Sequence, residues 1–256
     1  DHAVQALVAE KVRARFPGHG LLGEEGNQGE TTGDFLWVVD PLDGTKNFTC
    51  GVPIFATAIG VLFRGAPVVG AIFLPGPPHL GGGVYHACLG NGAYRDGVRI
   101  AAMTAGRPDP AQLTALPAHA ERQFRFDAEL ARQPGEIRSF GSIVYELALI
   151  ADGRLQCALF RSPKIWDVAA GLLLVREAGG AVYEWRQGWG LGPLRVGAGW
   201  RPFQRFDPVR RRRWDKRPRG LREWQRPLLA GGRDIVHYVH QHVRPQMNWW
   251  KWRDHR

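Results

Sequence analysis

Residues 37–48 read Trp37-Val38-Val39-Asp40-Pro41-Leu42-Asp43-Gly44-Thr45-Lys46-Asn47-Phe48, and this stretch decides the fold of the chain. The bulky and β-branched residues from Phe35 to Val39 predict a buried strand that stops at Asp40-Pro41. Asp40 and Asp43 therefore straddle a turn at the end of a strand, where both carboxylates can converge on one point. Two such oxygen ligands suit a hard divalent cation.

The same five residues, 40–44, also have a purely structural interpretation, because Asp and Gly are favoured turn residues. In the functional interpretation, the Leu42 carbonyl can point to the same place as the two carboxylates. Gly44 would let the backbone come close to a ligand, and the amides of Gly44 and Thr45 could hydrogen-bond an anion if they open a helix. Spacing alone does not separate the two interpretations.

Two further acidic motifs favour the functional interpretation. Residues 23–25 are Gly-Glu-Glu, directly upstream of the strand, and residues 165–171 are Ile-Trp-Asp-Val-Ala-Ala-Gly. Taken singly, Glu24 could be a solvated surface acid, and Asp167 could be an ordinary N-cap at the start of an apolar helix. Small residues at 169–171 would let that helix pack closely on another element.

Taken in this order and at these separations, the three motifs resemble the inositol monophosphatase family of metal-dependent, lithium-sensitive sugar phosphatases. The resemblance runs from Asp1 to about Tyr183, with Glu-Ala-Gly-Gly at 177–180, and resumes more faintly over 227–243. It implies an α/β (α+β) fold, a layered αβαβα sandwich. It also implies a Mg²⁺-dependent phosphomonoesterase that acts on a small polyol or sugar phosphate and forms a homodimer.

The resemblance also implies roles for individual residues. Glu24 and Thr45 would position and deprotonate the attacking water, and Asp1 would hydrogen-bond Thr45. Asp1 is equally credible as the N-cap of a first helix. The ligands of two or three Mg²⁺ ions would be Glu24, Asp40, the Leu42 carbonyl, Asp43 and Asp167. The substrate would be bound by Asp43, Gly44, Thr45, Gly141, Ser142 and Asp167.

The substrate itself stays open at this point. Inositol-specific members carry an acid seven residues before the metal-binding Asp, whereas this chain has Phe160 there, which weakens inositol specificity. Arg161 and Lys164 could bind a second anionic group or could simply be solvated. The Asp-Gly-Thr-Lys-Asn-Phe sequence is also similar to the histidinol-phosphate phosphatase branch, and Lys46 to the phosphoadenosine phosphatase branch. Fructose 1,6-bisphosphate is a further candidate.

Composition restricts the class of protein. Of the 256 residues, 44% are hydrophobic and 23% are charged, which fits one globular unit or two small ones and excludes a disordered chain. No apolar run approaches the roughly 18 residues of a membrane-spanning helix, so we expect a soluble protein. Cys50, Cys88 and Cys157 lack CxxC spacing. They predict reduced, mostly packed thiols and a cytoplasmic location.

Charge is concentrated in one region. Residues 201–256 contain 16 Lys and Arg against 5 Asp and Glu, while residues 1–200 contain 18 and 19. Within the Arg- and Trp-rich insertion 185–226, the arginines of 210–213 and the rings of Trp200, Trp214 and Trp224 could bind RNA by charge and stacking. Charge runs are more often solvated surface, and we expect RNA binding to be the minor alternative.

The order of elements predicts two halves: residues 1–110, an antiparallel sheet with the metal motifs, and residues 111–256, an α/β half with the insertion. The family resemblance also implies helices upstream of Asp1, so we expect the native N-terminus to lie beyond this residue. We predict helices over about 2–16, 120–133, 142–151, 166–178 and 234–243, and strands over 35–39, 55–63, 68–74, 83–88, near 137, 155–160 and 227–230.

Overall fold

The computed structural model describes residues 1–25, 33–188, 197–207 and 220–246. Its helices are α1 (His2–Arg15), α2 (Thr45–Thr49), α3 (Ala120–Gln123), α4 (Ala128–Arg132), α5 (Ile143–Ala151), α6 (Ile165–Glu177) and α7 (Arg233–His242).

A seven-stranded sheet holds its strands in chain order, with β1 parallel to β2 and the later neighbours antiparallel. We call it the first sheet. Its strands are β1 (Gly20–Gly23), β2 (Phe35–Asp43), β3 (Ala56–Phe63), β4 (Ala66–Leu74), β5 (Gly83–Cys88), β6 (Ala93–Arg95) and β7 (Val98–Arg99).

The remaining strands are β8 (Leu113–Ala115), β9 (Phe124–Phe126), β10 (Glu136–Arg138), β11 (Cys157–Phe160), β12 (Ala181–Arg186), β13 (Gly199–Pro202), β14 (Leu228–Gly231) and β15 (Val243–Pro245). Six of them form the second sheet, in the order β10-β8-β11-β14-β12-β13. Strands β15 and β9 pair separately as an antiparallel ribbon.

The helices and the two sheets stack in layers because each element buries its apolar face. Helices α5 and α6 lie between the two sheets, α1 packs against the outer side of β1 and β2, and α7 covers the outer side of the second sheet. Helix α6 is buried almost all round, as a helix between two sheets must be. The predicted αβαβα sandwich is confirmed.

Small residues bring α6 close to the first sheet, as the 169–171 sequence predicts. A Cβ added at Gly60 of β3 would lie 2.8 Å from the Ala169 Cβ, and one at Gly70 of β4 would lie 2.7 Å from the Ala170 carbonyl oxygen. Both distances are too short for real carbon contacts. The position of α6, and with it that of Asp167, therefore depends on glycine in two neighbouring strands.

Most of the predicted elements are present, and two expectations are wrong. The helix predicted over 120–133 is two short helices, α3 and α4, separated by β9. The break occurs because Phe124-Arg125-Phe126 pairs with β15 and the Asp127 side chain then caps α4 by accepting from the amides of Glu129 and Leu130. The predicted strands also omit β1, which directly precedes Glu24.

Cys50 and Cys88 are exposed and only Cys157 is packed, so the expectation of mostly packed thiols is wrong. The main hydrophobic cluster contains side chains from both sides of residue 110, such as Leu62 and Leu147, so the division into two halves stays a prediction. Among the described residues, no helix is both long and apolar enough to cross a lipid bilayer.

We predict that Gly60→Val destabilises the protein by about 1–3 kcal/mol, because the added side chain forces α6 away from β3. Urea unfolding measures the change. The matched control is Gly106→Val, where an added Cβ meets nothing within 4 Å. Equal stability losses in the two variants would contradict the role of this close approach.

Candidate metal centre

An irregularity in the pairing of β2 with β3 places the two acids of the central motif. Asp40 lies opposite Ala58, whereas Asp43 lies opposite Ala56, so three steps along β2 match two along β3. Such a bulge bends a strand and redirects its side chains. It occurs at Pro41, which has no amide hydrogen for the ladder. The Thr57 hydroxyl donates to the Pro41 carbonyl at 2.9 Å instead.

Asp40 is the deepest acid of the site, with 1% of its surface exposed. Its Oδ1 accepts the Leu42 amide hydrogen at 3.1 Å. Burial, as the largest cause, and repulsion from Asp43, Asp167 and Glu24 together raise the pKa of Asp40 to about 9. A buried carboxyl of this kind either takes up a proton or needs a cation beside it.

Asp43 is held by the start of α5. Its Oδ2 accepts the Ser142 hydroxyl at 2.7 Å and the Val144 amide at 2.6 Å. Burial raises the pKa of Asp43, while these two bonds and the amides of Gly44 and Ile143 oppose the rise. Ser142 is also the N-cap of α5, so one hydroxyl links the helix to the acid.

Gly44 separates Asp43 from the short helix α2, of which it is the N-cap. It has a left-handed backbone with φ 83°, and an added Cβ would lie 2.8 Å from the Ile54 carbonyl oxygen. Only glycine fits this position without strain. The expected opening of a helix by Gly44 and Thr45 is therefore present.

Asp167 is the third residue of α6 rather than its N-cap, and its Oδ2 accepts the Lys164 amide at 2.7 Å. Burial, as the largest cause, and the nearby charges of Asp43 and Glu24 together raise the pKa of Asp167 to about 7, although the bond from the Lys164 amide opposes the rise. Glu24 follows the end of β1, where its amide donates to the Val39 carbonyl at 3.3 Å. Partial burial, Glu25 and Asp43 raise the pKa of Glu24.

These four acids fit a hard cation by their donor chemistry. They carry oxygen donors, and the charges of Asp43, Asp167 and Glu24 raise the pKa of Asp40, an effect that a bound cation would reverse. Within the described ranges, no three His, Cys, Asp or Glu side chains are already gathered in the arrangement of a metal site. The acids repel one another without a cation, so we expect their oxygens to close up when one binds.

The hydroxyl of Thr45 has a different partner from the expected one. It donates to the Leu42 carbonyl at 3.0 Å, and that oxygen keeps a second lone pair. Asp1 is exposed, and the hydrogen bonds described for it come from its backbone, whose carbonyl accepts the Gln5 amide at 3.1 Å. Its side chain does not cap α1 either. The Asp1–Thr45 bond is thus not seen among the described bonds.

Four residues that hold the site were missed from the sequence. Gln5 of α1, 2% exposed, bonds both the amide and the carbonyl of Glu25. Asn47 donates to the carbonyls of Ile54 and Phe140, at 2.8 and 2.7 Å, and so ties α2 to the loop before α5. Asn47 was visible in the central motif, but its partner lies 93 positions away along the chain. The other two are Glu146 and Arg222.

Glu146 lies one turn into α5 and is almost fully buried. Its Oε1 accepts the Phe140 amide at 3.2 Å, and burial raises the pKa of Glu146 to about 8. Gly141 lies between these bonds with a φ of 73°, and Asn47 is close enough to meet an added Cβ at 3.3 Å. The predicted substrate residues Gly141 and Ser142 therefore sit in a loop held on both sides.

The residues that bear on the substrate lie at the end of β11 and in the loop between β11 and α6. Phe160 is buried, and the half-buried guanidinium of Arg161 donates to the Gln246 carbonyl at 3.0 Å. Burial lowers the pKa of Arg161. Lys164 acts on Asp167 through its charge.

The expectation that three tryptophan rings could stack on RNA bases is wrong for two of them. Trp224 is fully buried and Trp200 is 8% exposed, so neither offers a face on which a base could stack. Their rings pack instead against Phe206 and Trp185, respectively. The arginines of 210–213 and Trp214 lie outside the described residues.

The family model described as inositol monophosphatase family matches residues 1–207. The chain belongs to the inositol monophosphatase family. It is 35% identical over 190 residues to phosphatase IMPL1, chloroplastic, of Arabidopsis thaliana, a match that covers 71% of this chain and 51% of that protein. It is 34% identical over 194 residues to Nus factor SuhB of Escherichia coli K12, covering 73% of this chain and 71% of that protein.

Solved structures of the inositol monophosphatase family show the same fold. The inositol monophosphatase of Anabaena (Nostoc) sp. PCC 7120 superposes with a TM-score of 0.66 at 26% identity, covering 94% of this chain and 84% of the other. The sequence match to IMPL1 spans about half of the length of that relative.

The raised pKa values of Asp40 and Asp167 predict how the metal-free protein responds to pH. Each folded-state pKa lies above its value of 3.8 in an unfolded chain, so the folded state binds more protons. The associated stability is present below about pH 4 and is lost as the pH rises through about 7 for Asp167 and about 9 for Asp40.

We therefore expect the melting temperature in EDTA to fall between about pH 5 and about pH 9. Mg²⁺ should raise it more at the higher pH, because binding needs the ionised acids. Scanning calorimetry at both values, with NaCl of equal ionic strength as the control, tests this. The same Mg²⁺ effect at both pH values would contradict it.

Proposed function

We propose that the protein is a Mg²⁺-dependent phosphomonoesterase that hydrolyses a small polyol or sugar phosphate. One observation carries the proposal: the buried acids Asp40 and Asp167 lie close enough to Asp43 and Glu24 for the charges of these two residues to raise both pKa values. Family membership supports the reaction class.

The proposed ligands of two or three Mg²⁺ ions are Glu24, Asp40, the Leu42 carbonyl, Asp43 and Asp167. When bound, Mg²⁺ supplies Lewis acidity, neutralises phosphate charge and lowers the pKa of water. The protein's own contribution is to keep these oxygens in place. Asp43 in particular is fixed by two hydrogen bonds from α5, at 2.6 and 2.7 Å.

Thr45 and Glu24 act on the attacking water in this proposal. Because the Thr45 hydroxyl donates its hydrogen to the Leu42 carbonyl, its own lone pairs can accept a hydrogen bond from a water molecule. Glu24 can then take the proton of that water. Asp1, with no described bond to Thr45, enters this proposal only as a residue near the start of α1.

Substrate contacts are proposed at both sides of Asp43. The amides of Gly44 and Thr45 would bind phosphate oxygens, and Gly141 with Ser142 would face the alcohol portion. The apolar Phe160 before α6 argues against an acidic grip on ring hydroxyls. Histidinol phosphate, fructose 1,6-bisphosphate and phosphoadenosine phosphate therefore stand beside inositol 1-phosphate.

RNA binding is the alternative from another class, and SuhB, a relative, is named as a Nus factor. The burial of Trp200 and Trp224 removes two of its three proposed stacking rings. A cytoplasmic location and a homodimer also belong to the proposal, and light scattering at the exit of a sizing column tests the dimer.

We predict that Asp43→Asn abolishes Mg²⁺-dependent phosphate release but leaves the fold intact. The amide oxygen can still accept from Ser142 and Val144, while the ligand charge is lost. The loss should exceed the about 10–100-fold that is typical for outer partners of a metal site.

The control for this variant is Asp34→Asn, which changes an exposed acid paired with Arg64. It should keep the parent's activity. Circular dichroism and a malachite green phosphate assay provide the measurements. Retained turnover in Asp43→Asn would refute the assignment of the site.

The substrate is tested with the four esters named above, each with Mg²⁺ and with EDTA. We expect Mg²⁺-dependent phosphate release from at least one of them, because the proposed site has ligands for both phosphate and metal. Since position 160 is Phe and not an acid, we do not expect release from inositol 1-phosphate alone. Hydrolysis confined to inositol 1-phosphate would contradict the reading of Phe160. RNA retention by the parent without any phosphate release would favour the alternative class.

A further inference from the structure

One arginine from the second half of the chain reaches the backbone at a proposed metal ligand. The Arg222 guanidinium donates through Nη1 to the Gly23 carbonyl at 2.6 Å and through Nη2 to the Glu24 carbonyl at 2.7 Å. Arg222 lies 198 positions after Glu24 in the chain. The forked guanidinium suits two adjacent carbonyls, which a single ammonium would not bridge as well.

The same guanidinium contacts the neighbour of a second proposed ligand. Its central carbon lies 5.1 Å from the centre of the Trp166 ring, within the range of a cation–π contact. Trp166 is 7% exposed and directly precedes Asp167 in α6. Arg222 therefore contacts both the segment that carries Glu24 and the helix that carries Asp167.

The segment that presents Arg222 is firmly anchored. Trp224 is fully buried, packs edge-on to Phe206 with ring centres 4.8 Å apart, and donates its amide to the Leu221 carbonyl at 2.9 Å. These contacts fix a short turn of 3₁₀-helix, Leu221–Glu223. Arg222 thus belongs to a segment that is packed against buried aromatic rings.

Strand β1 needs such a contact, because it pairs only with β2 in the described sheet and is four residues long. On one side, Gln5 of α1 fixes the backbone of Glu25. On the other side, Arg222 fixes the carbonyls of Gly23 and Glu24. The Arg222 charge also opposes the repulsion that Glu25 and Asp43 exert on Glu24.

We propose that Arg222 is a positioning residue that holds Glu24 and Asp167 at the separation needed to bind a divalent cation together. This inference rests on the proposed function, because it takes these two acids as ligands. The proposal also assigns the turn Leu221–Glu223, near the end of the Arg- and Trp-rich region, to the phosphatase site rather than to RNA binding.

The test uses Mn²⁺ as the probe, with binding to the full chain measured by calorimetry and by electron paramagnetic resonance. Arg222→Met keeps the apolar stem and removes the fork, and we expect a loss of Mn²⁺ affinity of about 10–100-fold. Arg222→Lys keeps the charge but not the fork, so it should recover only part of the affinity. If one of these two variants fails to fold, the Mn²⁺ affinity of the other still tests the proposal.

The matched control is Arg205→Met, which removes an exposed arginine whose partner is Asp207. It should bind Mn²⁺ as the parent does. A positioning role also predicts a split in kinetics: in Arg222→Met, the Mg²⁺ concentration for half-maximal activity rises, and kcat returns toward the parent's value at saturating Mg²⁺. A purely structural role would lower the melting temperature in EDTA without this split.

Asp43→Asn separates the failure of this inference from the failure of the proposed function. If the parent and Asp43→Asn bind Mn²⁺ equally well, the site assignment itself is wrong. If Asp43→Asn loses binding while Arg222→Met binds like the parent, the site stands and the role of Arg222 is overturned. Full recovery in Arg222→Lys would show that only its charge matters and would overturn the bridging role.

Discussion

Burial and repulsion raise the free energy of two ionised acids, Asp40 of β2 and Asp167 of α6, and the packing of the surrounding elements has to offset this cost. Burial and mutual repulsion push the pKa of Asp40 to about 9 and that of Asp167 to about 7. Ionised acids at buried positions destabilise the folded protein unless they bind a cation or take up a proton. The surrounding elements therefore have to hold the acids together against this repulsion.

Side chains link the elements around Asp43. The start of α5 holds Asp43 through Ser142 and Val144. Asn47 ties α2 to the loop before α5, and Glu146 fixes the amide of Phe140 in that loop. A helix amide, a hydroxyl and a buried carboxyl thus act together. The result is that the Asp43 carboxylate is fixed by hydrogen bonds from α5.

Close packing between the layers also determines where Asp167 and Glu24 lie. Gly60 and Gly70 let α6 approach the first sheet, and the position of Asp167 follows from that approach. On the outer side of β1, Gln5 of α1 fixes the segment of Glu24, and Arg222 fixes it from the second half of the chain. In its described part, the Arg- and Trp-rich region therefore contributes buried packing and the contact of Arg222 with the Gly23 and Glu24 carbonyls.

The sequence alone indicated the central acidic motifs and most of the helices and strands, because short motifs and local apolar patterns carry that information, while the layered fold followed from the family resemblance of the motifs. It could not show the break at Phe124–Phe126, which depends on pairing with β15, or the strand β1. Nor could it show the contacts of Gln5, Asn47, Glu146 and Arg222, whose partners are distant in the chain. Only the tertiary structure brought them to the acids, since such contacts exist only after the layers have packed.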